Sequence, residues 1–252
     1  MNKAHPKLVI ITGATSGFGK ACAIKFANNG WRVIATGRRL ERLQSLQNDI
    51  GAEKCEIQCF DVNKSSQVEQ FCDSLKERQI DLLINNAGLA LGLSPAHKAD
   101  FSDWETMIET NILALARMTR SILPMMVENK SGHIINLGSI AGSYAYPGAS
   151  VYGATKAFVE QFSLNLRADL GGTGVRVTNI EPGLANTEFA KVRFHGDEAK
   201  ADSLYQGVEP LLAEDIAESI YWCASLPKHV NINRLEIMPT CQAFGPLAIH
   251  KN

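Results

Sequence analysis

A single doubly wound α/β domain is the fold class this sequence predicts, and three observations carry the expectation. Short apolar, β-rich runs alternate with helical patterns from one end to the other; no linker, repeat or low-complexity segment divides the 252 residues; and a glycine-rich turn follows the first strand. Regular β-α alternation implies a parallel, Rossmann-type sheet with helices on both faces and right-handed crossovers.

Seven strands are expected in one sheet, at Leu8–Thr12, Arg32–Thr36, Cys55–Cys59, Leu82–Asn85, His133–Leu137, Arg176–Ile180 and Leu235–Met238. The clearest helices are Lys64–Arg78, Trp104–Asn129 and Tyr152–Leu170. Residues 183–212 have no clean pattern, and so long a connection in a compact fold is usually a lid or binding loop. One domain over 1–252, with a lid at about 183–212, is therefore expected.

Composition excludes several functions. With 45% hydrophobic and 20% charged residues and a net charge of −1, the chain offers no bulk attraction to nucleic acid or anionic lipid. No run approaches the roughly 18 apolar residues of a membrane span, and Met1–Lys7, polar and carrying His5-Pro6, contains no secretory apolar segment. The six cysteines (Cys22, Cys55, Cys59, Cys72, Cys223, Cys241) include no Cys-x-x-Cys pair and no zinc-type spacing to a histidine. Reduced thiols and a cytoplasmic location are expected.

The turn after the first strand reads Thr12-Gly13-Ala14-Thr15-Ser16-Gly17-Phe18-Gly19 and runs into the helix-like Lys20–Ala27. Glycines there let backbone approach a pyrophosphate, and the helix start presents unpaired N–H groups and a positive dipole end. A dinucleotide suits both features. After the second strand, where an acid would accept hydrogen bonds from the adenine ribose of NAD, the chain has Gly37-Arg38-Arg39. Two guanidinium groups in place of a carboxylate fit a 2′-phosphate, so NADP(H) is the expected cofactor.

Tyr152 and Lys156 stand four apart at the start of a predicted helix and therefore share a face. A tyrosine with a pKa of about 10 is a poor base near neutrality unless a cation favours its phenolate, and Lys156 is such a cation. Ser139, thirteen residues before Tyr152, falls just past a strand end, where open α/β sheets bind ligands, and its hydroxyl can reach a substrate oxygen.

Taken together, the Gly-x-x-x-Gly-x-Gly turn, Asp61-Val62, Asn85-Asn86-Ala87-Gly88, Ser139, Tyr152-x-x-x-Lys156 and Pro182-Gly183-x-x-x-Thr187 resemble the short-chain dehydrogenase/reductase family from Leu8 to Pro239. The resemblance implies that Asp61 and Val62 contact the adenine. It implies that Asn86, Ala87 and Gly88 also line the cofactor site, and that Pro182, Gly183 and Thr187 close over the nicotinamide. Asn111 resembles the family residue that holds a water in a proton relay to the lysine. Tyr152 would then donate a proton to the substrate oxygen during reduction, Ser139 would polarise the carbonyl, and Lys156 would hold the ribose hydroxyls. Family members usually pack as tetramers through two long helices, so a homotetramer is implied.

Asn85–Gly92, Tyr152–Val159, Thr187-Glu188-Phe189 and Val192-Arg193-Phe194 look like the family's bacterial NADP-dependent 3-hydroxy acid dehydrogenases. That subgroup acts at C3 of L-allo-threonine, serine and 3-hydroxypropionate. Arg193 could pair with a substrate carboxylate, or could instead be a surface residue paired with Asp197 or Glu198. Glu188, His195 and Asp197 are weak grounds for a metal, and none is expected. Trp104, Met107, Ile108, Met125 and Met126 are expected in the helix core or at subunit contacts. Two rival readings remain: a reductase of uncharged carbonyls on the same fold, and a non-catalytic NADPH sensor. A sensor would have no physical need for Ser139, Tyr152 and Lys156 together.

Overall fold

Alternate residues along the strands face opposite sides of the sheet, and both sides are apolar because both are covered by helices. The computed structural model describes residues 6–244, so the expectation for Met1–His5 lies outside the described residues. Its strands are β1 (Leu8–Ile11), β2 (Arg32–Gly37), β3 (Cys55–Cys59), β4 (Leu82–Asn85), β5 (Gly132–Leu137), β6 (Val175–Pro182) and β7 (Arg234–Ile237). All pairings are parallel, in the order β3-β2-β1-β4-β5-β6-β7. The seven expected strands are all present, displaced by at most two residues at an end.

The helices are α1 (Gly17–Asn28), α2 (Leu40–Ile50), α3 (Ser65–Asp73), α4 (Phe101–Ile108), α5 (Leu115–Glu128), α6 (Ser150–Asp169), α7 (Phe189–Arg193), α8 (Glu198–Ser203) and α9 (Ala213–Ser225). On one face Val9, Ile11, Val33, Ile84 and Ile135 pack with Phe26 of α1, Leu43 and Leu46 of α2 and Ile220 of α9. On the other, Ile10, Ile34, Leu83 and Ile134 pack with Phe71 of α3, Met118, Ile122 and Met126 of α5 and Leu166 of α6. Each such side chain contributes roughly 1.5–3 kcal/mol by leaving water. The strand order reverses between β1 and β4, and the crevice beyond the carboxyl ends there is the expected ligand position.

Three expectations need correction. The helix expected over Lys64–Arg78 stops at Asp73, because the Ser74 hydroxyl donates to the Phe71 carbonyl and the following residues turn tightly. The helix expected over Trp104–Asn129 begins at Phe101, where Asp100 caps it by accepting from the Ser102 N–H. It then contains a wide π-helical turn, Glu109–Ala114, before α5. The lid segment is not irregular throughout. It holds α7 and α8, the latter capped by Asp197 accepting from the Lys200 N–H, and its ends meet in a bridge between Ala185 and Leu211. No helix among the described residues is long and apolar enough to cross a membrane.

Candidate active site

The cleft of about 320 Å³ lies over the switch point and runs from β2 to α6. Its floor is the turn between β1 and α1. Gly13 takes φ +68°, and a Cβ there would come within 3.0 Å of Ala87 Cα, so the turn and the loop after β4 can touch only at a glycine. Asn86 braces that contact by donating from Nδ2 to the carbonyls of Thr12 (2.8 Å) and Gly13 (3.1 Å), while the N–H groups of Asn86 and Ala87 donate to Thr12 Oγ1. Gly19 does not line the cleft. A Cβ on it would lie 2.4 Å from the Gly13 carbonyl oxygen, so its part is to let α1 close on the turn.

Ser16 precedes α1 without a side-chain cap, and the first turn of α1 holds no acid. The helix start therefore keeps open N–H groups and an unneutralised positive end, which fits a pyrophosphate. At the β2 end, Arg39 donates from Nε (3.1 Å) and Nη2 (2.7 Å) to Thr15 Oγ1 and from Nη2 to Ser16 Oγ (2.8 Å). Arg38 is exposed and lies 3.9 Å from Asp61. Asp61, Val62 and Asn63 line the wall nearby, with Phe60. This corner has a guanidinium cluster and no carboxylate on β2, as a 2′-phosphate requires.

Glu188 faces the same corner from the segment after β6. It pairs with Arg39 (3.1 Å) and Arg42 (2.5 Å). Burial pushes its carboxyl up, but the hydrogen bonds and charges of the two arginines outweigh this and hold it below the usual range. Thr187, beside it, packs on Gly17. Pro182 and Gly183 do not line the cleft; they end β6, with the Gly183 N–H donating to the Ile237 carbonyl and Gln242 packed against Gly183.

At the other end stand Tyr152 and Lys156, both buried on α6. The start of α6 is brought to β5 by a short turn, Ile140–Gly142, which Ser139 caps by accepting from the Ala141 N–H. Burial pushes the Tyr152 phenol up to about 12, opposed by the charge of Arg193 and a hydrogen bond with Ser139 and reinforced by Tyr146. Burial also lowers Lys156 to about 8. Its ammonium donates to the Leu137 carbonyl at 2.7 Å and lies 5.8 Å from the Tyr152 ring centroid. Asn111, on the π-helical turn, lies behind Gly88. It exchanges two hydrogen bonds with the backbone of Leu89 (2.9 and 2.8 Å) and donates to Thr155 Oγ1.

Arg193 is no surface residue paired with Asp197 or Glu198. Those acids pair with Lys200 and Lys191, and the Arg193 guanidinium instead sits 5.1 Å from the ring centroids of both Tyr152 and Phe189. Its Nη2 donates to the Tyr146 hydroxyl at 3.1 Å, and its Nε is buried without a partner. Glu188, His195 and Asp197 do not converge: His195 lies 3.2 Å from Asp103. Trp104 and Met107 pack beside Tyr152, Met126 of α5 is buried in the core with Met125 partly buried beside it, and Ile108 is exposed.

Sequence reasoning missed Tyr146, Phe189, Val192 and the Glu188–Arg42 pair. Glu188, Phe189 and Val192 had a signal, through the stretches Thr187-Glu188-Phe189 and Val192-Arg193-Phe194; Tyr146 and Arg42 had none. An anion-binding helix start, a guanidinium corner and a tyrosine–lysine pair at the carboxyl ends of a parallel sheet define a dinucleotide-dependent oxidoreductase. The chain belongs to the short chain dehydrogenase family, which it matches over residues 7–198. A Salmonella typhimurium protein named NADP-dependent 3-hydroxy acid dehydrogenase YdfG is 56% identical over 248 residues, covering 97% of this chain and 100% of the relative. Sulfoacetaldehyde reductase 2 of Chromohalobacter salexigens is 51% identical over 249 residues, 97% of this chain and 99% of its own. A solved structure described as the closed form of serine dehydrogenase complexed with NADP+ superposes with a TM-score of 0.93 at 54% identity, covering 97% of this chain and 100% of that one.

Proposed function

We propose that this chain is an NADP-dependent oxidoreductase acting at C3 of small 3-hydroxy acids and the corresponding semialdehydes. The observation that carries the substrate class is Arg193, whose unpartnered Nε and aromatic stacking put a guanidinium beside the Tyr152 phenol. A carboxylate two bonds from the reacting carbon would reach that group while the C3 oxygen meets Tyr152. The named activities of the Salmonella and serine dehydrogenase relatives support the same class.

When bound, the cofactor would supply the hydride and, in its oxidised form, a positive charge. Gly13, Thr15, Ser16, Gly17 and Phe18 would hold its pyrophosphate at the start of α1, and Gly19 keeps α1 against them. Arg38 and Arg39 would take the 2′-phosphate. Asp61 and Val62 bound the adenine side, and Asn86, Ala87, Gly88 and Thr187 bound the cleft between. Tyr152 gives a proton to the substrate oxygen in reduction and takes it back in oxidation. Ser139 donates a hydrogen bond to that oxygen, Lys156 binds the ribose and returns protons, and Asn111 holds the loop after β4 in line with them.

A sulfonate is a second substrate class, because the same guanidinium accepts it and the Chromohalobacter relative is named for one. We also propose a homotetramer, supported by Phe101, Leu113 and Leu164, large apolar residues exposed along α4 to α6. The cytoplasm is the proposed location, supported by six free cysteines. NADPH formation at 340 nm with L-allo-threonine, L-serine and 3-hydroxypropionate, abolished by Tyr152→Phe, is the expected result. Turnover of an uncharged alcohol alone would discard the hydroxy-acid reading, and gel filtration at monomer size would discard the tetramer.

A further inference from the structure

The fold arranges charge around the Tyr152 ring unevenly. Its own helix offers Lys156, whose ammonium is bound to the Leu137 carbonyl. The β5 end offers the Ser139 hydroxyl, and the loop after it offers the Tyr146 hydroxyl. The loop after β4 and α4 present Leu89, Ala90, Trp104 and Met107, which carry no charge. The lid presents Phe189 and Arg193, with the guanidinium between the two aromatic faces. No carboxylate among the described residues pairs with Arg193, because the neighbouring Glu198 and Asp197 are taken by Lys191 and Lys200.

We propose that Arg193 is a positioning residue which brings a positive charge against the face of Tyr152, so that this tyrosine is held as the phenolate, ready to take the substrate's proton, only while the lid is down. A cation over an aromatic face is attracted to it, and the attraction grows when the ring gains the negative charge of a phenolate. The effect acts through Tyr152 and is separate from any carboxylate anchoring. It rests on the reading of Tyr152 as the proton-transfer group.

The lid is tied at this residue and just beyond it. The Gly92 N–H donates to the Arg193 carbonyl at 2.9 Å, and His195 lies 3.2 Å from Asp103 of α4. Arg193 therefore reaches the ring only as part of the closed segment, which couples closure over a substrate to the acid–base competence of the site.

The test is the pH dependence of kcat for oxidation of 1,3-propanediol, which has no carboxylate to neutralise the arginine, in the wild type, Arg193→Gln and Arg193→Lys. Removing the cation disfavours the phenolate, so the rising limb in Arg193→Gln is expected to move about one pH unit to the alkaline side. Arg193→Lys keeps a cation there and is expected to move it by less than half as much. A limb that does not move in Arg193→Gln, a loss independent of pH, or equal shifts in the Gln and Lys variants would overturn the proposal. Failure of the hydroxy-acid reading would look different, as wild-type turnover of the diol without turnover of the acids. Full activity in Tyr152→Phe would remove the underlying assignment.

Discussion

Replacing Gly37 with aspartate isolates the corner that should set cofactor choice. Gly37 is buried at the end of β2, and a Cβ there would lie 2.7 Å from Thr15 Cγ2, closer than real Cβ atoms approach, so Thr15 must move. Thr15 Oγ1 is the acceptor for both Nε and Nη2 of Arg39, and its displacement releases that fork. Hydrogen bonds from charged donors are worth roughly 1.5–3 kcal/mol when buried, but Arg39 is 43% exposed, so about 1 kcal/mol is the better figure for this step. Taken at a separation of roughly 6 Å, the new carboxylate would repel a bound 2′-phosphate by about 0.7 to 2.8 kcal/mol for effective dielectric constants of about 80 to 20. The sum, roughly 2 to 4 kcal/mol, raises the Kd for NADPH about 30- to 1000-fold. Fluorescence titration of NADPH at fixed ionic strength reads this directly. Gly37→Ala carries only the steric part and should weaken binding about fivefold, for about 1 kcal/mol. Adding Thr15→Ala to Gly37→Asp makes room for the carboxylate and should improve NADH binding. If Gly37→Asp bound NADPH within threefold of the wild type, the Thr15–Gly37–Arg39 corner would not be the phosphate site.

Glu188→Gln removes the lid's tie to Arg39 and Arg42 and should raise the KM for the hydroxy acid a few-fold while leaving NADPH affinity equal or better, since a negative charge leaves the phosphate corner; a weaker NADPH Kd would refute it. His133 is buried against Thr178 with its pKa well below the usual imidazole value, first because burial disfavours the charged ring and then because Arg176 is near. The unfolded chain therefore binds the extra proton first, so the stabilisation is complete above about pH 6.5 and is lost as pH falls below it. Urea midpoints at pH 7.5 and 5.5 should drop less in His133→Gln than in the wild type, and parallel drops would rule out this histidine as the cause. Asn111→Ala leaves the N–H and carbonyl of Leu89 without their side-chain partners, costing about 2 kcal/mol and lowering Tm by roughly 4 to 8 °C, along with kcat. An unchanged Tm would mean that Asn111 does not hold the loop.

The sheet was legible because its information is local. The inner strands have both faces covered and read as short apolar runs, as Leu82–Asn85 does, while the edge strand Cys55–Cys59 alternates polar and less polar residues, and both fall where the pattern puts them. The glycine turn and the arginines after β2 were legible for the same reason, since strand end, turn and helix start are neighbours in the chain. Helix interiors were harder. Nothing in the run from Trp104 to Asn129 marks the π-helical turn, and the contact it serves lies across the fold: its Asn111 bonds the backbone of Leu89, 22 residues away. The end of α3 at Asp73 likewise depends on one hydroxyl, Ser74, whose acceptor is chosen only in the folded chain.

The segment 183–212 resisted reading because its helices, five and six residues long, are too short to show a periodic face or to persist without partners. Its partners are remote: Glu188 meets Arg42 across 146 residues, and Arg193 meets Tyr146 across 47. A sequence records the charges but not which of several arginines and acids will pair, and so Arg193 kept two readings until geometry removed one. What geometry adds is the span of α7. Glu188 at its start holds the arginines of the phosphate corner, and Arg193 at its end lies on the ring of Tyr152. One short helix thus touches both the group that would recognise the cofactor and the group that would move the proton. Changes at the phosphate corner should for that reason appear in proton-transfer behaviour as well as in cofactor affinity, and in Glu188→Gln the pH profile should move in the same direction as in Arg193→Gln, by a smaller amount.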